Sequence, residues 1–143
     1  MTAIGAAALA LVGAGLSMAG GAQAAPGATK AWDGWCDDGE VCFYYNSNIA
    51  GAVYDTPYSA SIYSTQVFVC SKQAHGDGAL CSGSGDPVHN NAASVINNNR
   101  YCDVAVYYNS NWTGPKQIIP RGTWANLNAT LKNQNASHKF INC

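Results

Sequence analysis

The chain has 143 residues and a formal net charge of −1 at pH 7, with 10% charged and 48% hydrophobic residues. A chain of this length is expected to form one domain. So few charges provide no basic field that would attract a nucleic acid or anionic lipid. The composition therefore excludes recognition of a polyanion, and we expect neither a nucleic-acid partner nor a membrane partner.

Residues 1–24 have the pattern of a secretory signal peptide. Residues 3–19 are small and almost continuously apolar, and the tripeptide at 22–24 is an A-x-A processing site. The stretch is too rich in Ala and Gly to be a good transmembrane helix. We expect a secreted, extracellular protein that begins at Ala25.

Residues 25–35 form an N-terminal tail without a core pattern of its own. The tail carries Lys30, Trp32 and Trp35, which are candidate partner-binding residues. Such a segment can bind a partner by adding a strand to one of its sheets. The alternative is a frayed terminus whose Trp35 folds back on the domain.

All six cysteines lie in the mature part of the chain. An even number of cysteines in an exported protein predicts disulfides rather than reactive thiols. A zinc site would need C-x-x-C or Cys/His spacings, and none occurs. Six cysteines allow fifteen pairings, among which we favour partners close in sequence. The expected disulfides are Cys36–Cys42, Cys70–Cys81 and Cys102–Cys143.

The chain contains an internal duplication. The phrase Tyr-Tyr-Asn-Ser-Asn at 44–48, followed by Gly51, recurs at 107–111, followed by Gly114, an offset of 63 residues. A repeat of this kind predicts two copies of one structural unit. In the second copy the spacing is Tyr107-x-x-x-x-Trp112-x-Gly114, and in the first copy Ile49 occupies the Trp position.

Short alternating runs and turn-forming residues predict an all-β fold. Alternating apolar residues occur at 41–45 and 104–108, and further strand candidates are 66–70, 117–119 and 139–142. Gly, Asn, Asp and Pro clusters separate these runs, as expected for tight turns. We therefore expect short strands joined by turns and no long helix.

An Asn/Ser cluster follows each copy of the repeat, at 90–95 and at 133–138. The two motifs together resemble the βγ-crystallin Greek key, whose hallmark is Y-x-x-x-x-[FWY]-x-G followed by [ND]-[ND]-x-x-[ST]-S. The resemblance implies a β-sandwich of two Greek keys in one domain, residues 36–143. The first key would span about 36–100 and the second about 101–143.

The two keys differ in length. Gly114 and Asn133 are separated by 18 residues, whereas 38 residues separate Gly51 from Asn90. We therefore expect an insertion in the first key, at about 70–87. In a Greek key the first and last strands are antiparallel neighbours, which suits a bridge between Cys102 and Cys143.

The opening Trp35-Cys36-x-x-Gly39-x-Val41-Cys42-x-Tyr44 and the later Ser137-His138 resemble the crystallin-fold metalloproteinase inhibitors of actinomycetes. This resemblance implies a small, non-catalytic protein that inhibits a secreted protease.

The candidate inhibitory loop is the segment 71–80, which is polar, Gly-rich and flanked by Cys70 and Cys81. It carries Lys72, His75 and Asp77, and the last two side chains are candidates to approach a catalytic metal. An ordered loop loses less entropy on binding. The alternative is a solvated, disulfide-closed insertion without a binding role.

The Asn/Ser clusters also raise the question of calcium, for which weak candidate ligands exist. Calcium takes six to eight oxygen ligands, usually including carboxylates, but the side chains here are neutral. The alternative is that they bond their own turns. We expect no cofactor, with weak calcium binding left open. The calcium candidates are Asn90, Asn91, Ser94, Asn133 and Ser137.

We do not expect catalysis. His75, His89 and His138 stand in no catalytic motif, and the acidic cluster at 37–40 lies in a Gly-containing turn between two cysteines. The expected partner is instead another protein, namely a secreted protease. The alternative is a killer-toxin-like protein or an adaptor subunit of a secreted antibacterial toxin complex, bound through the N-terminal tail.

Overall fold

The computed structural model describes residues 30–75 and 81–143. The predicted signal peptide, residues 25–29 of the tail, and Asp77 lie outside the described residues. Within the two described ranges, no helix has the length and apolar character needed to cross a membrane.

Seven strands and one short helix make up the secondary structure of the described residues, and every strand pairing is antiparallel. The elements are β1 (Val41–Asn46), β2 (Ala50–Thr56), α1 (Lys72–His75), β3 (Ser94–Asn97), β4 (Asp103–Asn109), β5 (Thr113–Ile119), β6 (Thr123–Asn126) and β7 (Ser137–Ile141). The prediction of an all-β fold is confirmed.

The strands form two sheets with the orders β2-β1-β3-β6 and β5-β4-β7. In each repeat the first strand pairs with the last, β1 with β3 and β4 with β7, as in a Greek key. The second repeat contributes β6 to the sheet of the first repeat. Among the described residues, the first repeat pairs with the other sheet through one isolated bridge, between Ala60 and His138.

The main core lies between the sheets and follows the alternation of the repeated strands. Val41 and Phe43 of β1 and Val104 and Val106 of β4 belong to this buried cluster. Alternate side chains of a strand point to opposite faces. Tyr108 departs from the pattern and is exposed, since it lies near the end of β4, where the hairpin begins.

The serine of each Asn/Ser cluster forms two hydrogen bonds to the backbone of a hairpin turn. Ser94 Oγ donates to Asn46 O at 2.7 Å and accepts the Ile49 N–H at 3.0 Å. In the second repeat, Ser137 Oγ donates to Asn109 O at 2.7 Å and accepts the Trp112 N–H at 3.2 Å. These equivalent bonds give the duplicated phrase its structural role.

The segment 66–70, predicted as a strand, forms only isolated bridges. Val69 pairs with Val53 of β2, and Val67 pairs with Pro87. Pro87 has no N–H to donate to a ladder, and the chain turns into α1 at Lys72. The prediction of a strand at 66–70 is therefore wrong. The part of the first key that has no equivalent strand in the second key begins before residue 70.

The cysteines form the three disulfides expected from the sequence, and none of the six remains free. Cys36–Cys42 ties the tail to β1. Cys102–Cys143 joins the starting end of β4 to the C-terminal end of the chain, which follows β7.

Candidate functional site

One residue of β2 holds the tail. The N–H groups of Trp32, Asp33 and Gly34 all donate to Asp55, the first to its backbone oxygen at 3.1 Å. The other two donate to the carboxylate, to Oδ2 and Oδ1 respectively, each at 3.0 Å. Trp32 and Gly34 have φ angles of 61° and 84°. The tail at this point is a turn whose donors are satisfied, so it does not have the extended conformation that strand addition to a partner requires.

The tail also contacts the insertion of the first key. Lys72 N–H donates to Gly34 O at 2.9 Å, and Cys36 N–H donates to Gln73 Oε1 at 3.3 Å. A Cβ on Gly34 would lie 3.0 Å from Cys70 O, so a larger residue would have to displace the insertion. The two unrepeated parts of the chain therefore meet at the β2 edge of the four-stranded sheet.

Trp32 of the tail, Tyr54 of β2 and the segment that leads into the insertion line an apolar cleft with a volume of about 240 Å³. We call this cleft, together with Trp35 of the same tail, the tail–insertion surface. Trp32, Trp35 and Val67 leave 58%, 43% and 46% of their side chains exposed. Large apolar side chains that remain exposed together are typical of a binding surface. The residues that line the cleft are Trp32, Tyr54, Thr65, Gln66, Val67 and Val69.

Two buried carboxyl groups lie beneath the tail. Asp55 and Glu40 are both fully buried. The pKa of Glu40 is raised to about 8, mainly by burial and in smaller part by the nearby Asp55, Asp37 and Asp33 carboxylates, while the hydrogen bond from the Asp37 N–H lowers it. Burial also raises the pKa of Asp55, although the N–H donors of Asp33 and Gly34 oppose this effect. Glu40 Oε2 accepts the Asp37 N–H at 2.8 Å, whereas Oε1 has no hydrogen-bond partner within the described ranges.

The structure brings some of the predicted site residues together. Trp32 and Trp35 are exposed residues on either side of the anchored Asp33 and Gly34, and the half-buried Lys72 lies beside Gly34. Lys30 is exposed at the start of the described chain. The backbone of His75 ends α1, and Asp77 lies outside the described residues.

Sequence reasoning missed Asp55, the residue that organises this site. The available signal was a carboxylate in an otherwise apolar run, Val53-Tyr54-Asp55. A buried acid requires donors, but nothing in the run indicates that the donors are backbone groups of residues 33 and 34.

The Asn/Ser clusters border a polar pocket of about 260 Å³. Ser94 and Ser137 are engaged in the hairpins, and the Asn91 amide donates to Pro87 O at 2.9 Å. The pocket lining includes Asn91, Asn133 and the cation Lys132. The described residues include no group of three or more His, Cys, Asp or Glu side chains suited to a metal. The expectation of no cofactor, with weak calcium binding left open, stays a prediction.

Two of the groups considered for catalysis, His138 and Asp38, are engaged in structural contacts. His138 is fully buried, with Nδ1 2.7 Å from Tyr63 Oη and Nε2 2.8 Å from Tyr58 O. Burial lowers its pKa to about 4, so the imidazole is neutral at physiological pH. Asp38 forms a surface ion pair with Arg100 at 3.0 Å.

Comparison with solved structures shows the fold. The chain is similar to a structure from work on the evolution of the eye lens beta-gamma-crystallin domain fold, with a TM-score of 0.53 and 11% identity. The match covers 74% of this chain and 88% of that chain. A comparison with curated proteins gave no match.

The model of the peptidase inhibitor family I36 matches residues 28–119. The match includes the held tail, both copies of the Tyr-Tyr-Asn-Ser-Asn phrase and the whole insertion. It spans well over half of the chain and agrees with the crystallin fold. The chain belongs to peptidase inhibitor family I36.

Proposed function

We propose that the mature protein inhibits a secreted metallopeptidase, and that the disulfide-closed segment 71–80 enters the active-site cleft of the enzyme. The observation that carries the proposal is the family match, which contains this segment. The three disulfides suit a protein that acts in an oxidising, extracellular setting. The partner is then the peptidase itself.

The base of the segment is anchored by a disulfide and by backbone hydrogen bonds on either side of Cys70. Cys70 and Cys81 are joined by a disulfide. Val69, just before Cys70, exchanges two backbone hydrogen bonds of 2.8 and 2.7 Å with Val53, and the N–H of Lys72, just after Cys70, donates to Gly34 O. Anchoring of this kind reduces the entropy that the loop loses on binding. Tight binding then depends less on the number of contacts.

Three side chains of the segment have proposed roles. His75 and Asp77 would approach the catalytic metal, because imidazole nitrogen and carboxylate oxygen are ordinary zinc ligands and a catalytic zinc keeps one position open. Lys72 would contact the rim of the cleft. Lys72 begins α1 and His75 ends it.

The test is titration of the purified mature protein against an H-E-x-x-H zinc peptidase and, separately, a serine peptidase. We expect tight inhibition of the zinc enzyme at one-to-one stoichiometry and no inhibition of the serine enzyme. The variants H75A and D77A should weaken inhibition at least about tenfold, because each removes a group directed at the metal. The matched control H89A changes an exposed histidine outside the segment. Unchanged inhibition by both H75A and D77A would remove the metal-directed assignment.

A further inference from the structure

We propose that the tail–insertion surface is a second contact for the target peptidase, separate from the segment 71–80. Trp32 and Trp35 would bind apolar surface that borders the active-site cleft of the enzyme. The cleft beneath Trp32 would accept an aliphatic or aromatic side chain of the enzyme. This inference rests on the proposed function and deepens it.

The first argument is size. A stable interface buries about 800 Å² on each partner and uses about 20 to 30 residues a side. The disulfide-closed segment has ten residues, 71–80. It therefore provides less than the full interface, and the remaining contacts must come from residues adjacent to its base.

The second argument is position. Lys72 and Gln73, at the start of the segment, bond to Gly34 O and the Cys36 N–H. Trp35 lies between Gly34 and Cys36 in the chain. An enzyme that receives the segment would therefore lie beside the two tail tryptophans.

The third argument is that the two tryptophan side chains are exposed on an ordered backbone. Both expose about half of the side chain, at 58% for Trp32 and 43% for Trp35. The backbone beneath them is fixed by Asp55 and by the Cys36–Cys42 disulfide. Exposed tryptophan on an ordered backbone is the kind of side chain that dominates binding energy at interfaces.

The lining of the cleft determines which kind of enzyme side chain it can bind. Tyr54, Val67 and Val69 line it together with Trp32, and its two polar lining residues, Thr65 and Gln66, are uncharged. A charged side chain would lose its hydration there without gaining an ion pair. The matching group on the enzyme is therefore apolar.

Trp124 provides a matched control. It leaves 52% of its side chain exposed and lies on β6, which is the edge of the four-stranded sheet opposite to β2. Trp124 has the same side chain as Trp32 and Trp35 and a similar exposed fraction. Two strands, β1 and β3, separate its strand from β2, where the tail is bound.

The experiment measures the inhibition constants of the wild type, W32A/W35A and W124A against a peptidase that the wild type inhibits. We expect the double variant to bind at least about 30-fold more weakly, mainly through faster dissociation, and W124A to change by less than about twofold. The single variant W35K leaves the Trp32 contacts in place and should weaken inhibition as well. An unchanged constant for the double variant, or an equal loss in W124A, would contradict the inference.

Hydroxyl-radical footprinting of the wild-type complex gives a second test that needs no substitution. Trp32 and Trp35 should be protected from oxidation in the complex, while Trp124 should react as in the free protein. Equal reactivity of the tail tryptophans in both states would contradict the inference but leave the proposed function intact. Failure of the wild type to inhibit any zinc peptidase would instead overturn the proposed function and, with it, this inference.

Discussion

The buried carboxylate of Asp55 accepts the backbone N–H of Gly34 at 3.0 Å. Through this bond and the neighbouring ones from Trp32 and Asp33, a strand of the first repeat fixes a segment that the repeat itself does not contain. Gly34 O in turn accepts the Lys72 N–H. The Asp55 side chain therefore orders the tail at residues 33 and 34 and, through Gly34, supports one contact between the tail and the insertion.

Replacement of Asp55 should loosen the tail. D55N keeps the shape of the side chain but turns an NH₂ group toward one of two N–H donors, so we expect a loss of about 1 to 3 kcal/mol of unfolding free energy. Denaturant unfolding measures this loss. Hydrogen exchange at residues 33 and 34 should accelerate in the same variant.

The matched control for D55N is D38N. Asp38 is exposed and pairs with Arg100 on the surface, and such a pair contributes at most about 1 kcal/mol. Equal losses in the two variants would show that Asp55 is not the anchor of the tail.

Glu40 should make the protein less stable in alkaline solution. Burial raises its pKa from 4.5 to about 8, so the native state holds this proton more tightly than the unfolded chain. The unfolding free energy should therefore fall as pH rises from about 4.5 through about 8. E40Q removes the titration and should be more stable than the wild type at pH 9 by about 1 to 3 kcal/mol.

The check is chemical unfolding of wild type and E40Q at pH 6 and pH 9. A stability difference that does not grow between these two values would contradict the role assigned to Glu40.

His138 should act in the opposite direction in mild acid. Its pKa falls from 6.5 to about 4 on burial, so the unfolded chain takes up the proton first as pH falls. The contribution of the neutral imidazole is complete above pH 6.5 and is lost toward pH 4, by about 2 to 4 kcal/mol. The measurement is made in the E40Q background, because Glu40 has the opposite slope in this range. A free energy of unfolding that stays level between pH 6.5 and 4.5 would refute this assignment.

The glycine of the repeated phrase should resist substitution. Gly114 has a φ of 79°, and an added Cβ would lie 2.6 Å from Asn109 Nδ2. Gly122 has a φ of 68° with no atom within 4 Å of the built Cβ. Both alanine variants bear backbone strain of about 1 to 3 kcal/mol, and only G114A adds a steric clash. Thermal unfolding should therefore show a larger loss for G114A, and equal losses would contradict this account of the hairpin.

The repeated strands could be predicted because the residues that determine them are close together in the sequence. The alternation of Val41 and Phe43, and of Val104 and Val106, places these side chains in the core, and the doubled phrase indicates two hairpins. The disulfides followed from short separations and from the neighbouring first and last strands of a Greek key.

The tail–insertion surface could be predicted only in part, because it is held together by hydrogen bonds between residues far apart in sequence, and backbone groups form many of these bonds. Nothing near Gly34 indicates that its N–H bonds a carboxylate 21 positions later. Likewise, the segment around Val69 has the sequence pattern of a strand, but it forms a single bridge to Val53 and not a ladder of hydrogen bonds. The sequence predicts Trp32 and Trp35 as candidate partner-binding residues, whereas the contacts of the tail backbone with Lys72 and Gln73 follow from the structure alone.

The most direct test of the central claim is the inhibition constant of the mature protein against an H-E-x-x-H zinc peptidase, measured with and without the Cys70–Cys81 disulfide. The claim predicts one-to-one inhibition that C70S/C81S weakens at least about tenfold, since the freed segment loses more entropy on binding. The control C102S/C143S should inhibit like the wild type at a temperature where it remains folded. No inhibition by the intact protein, or equal inhibition by all three forms, would contradict the account.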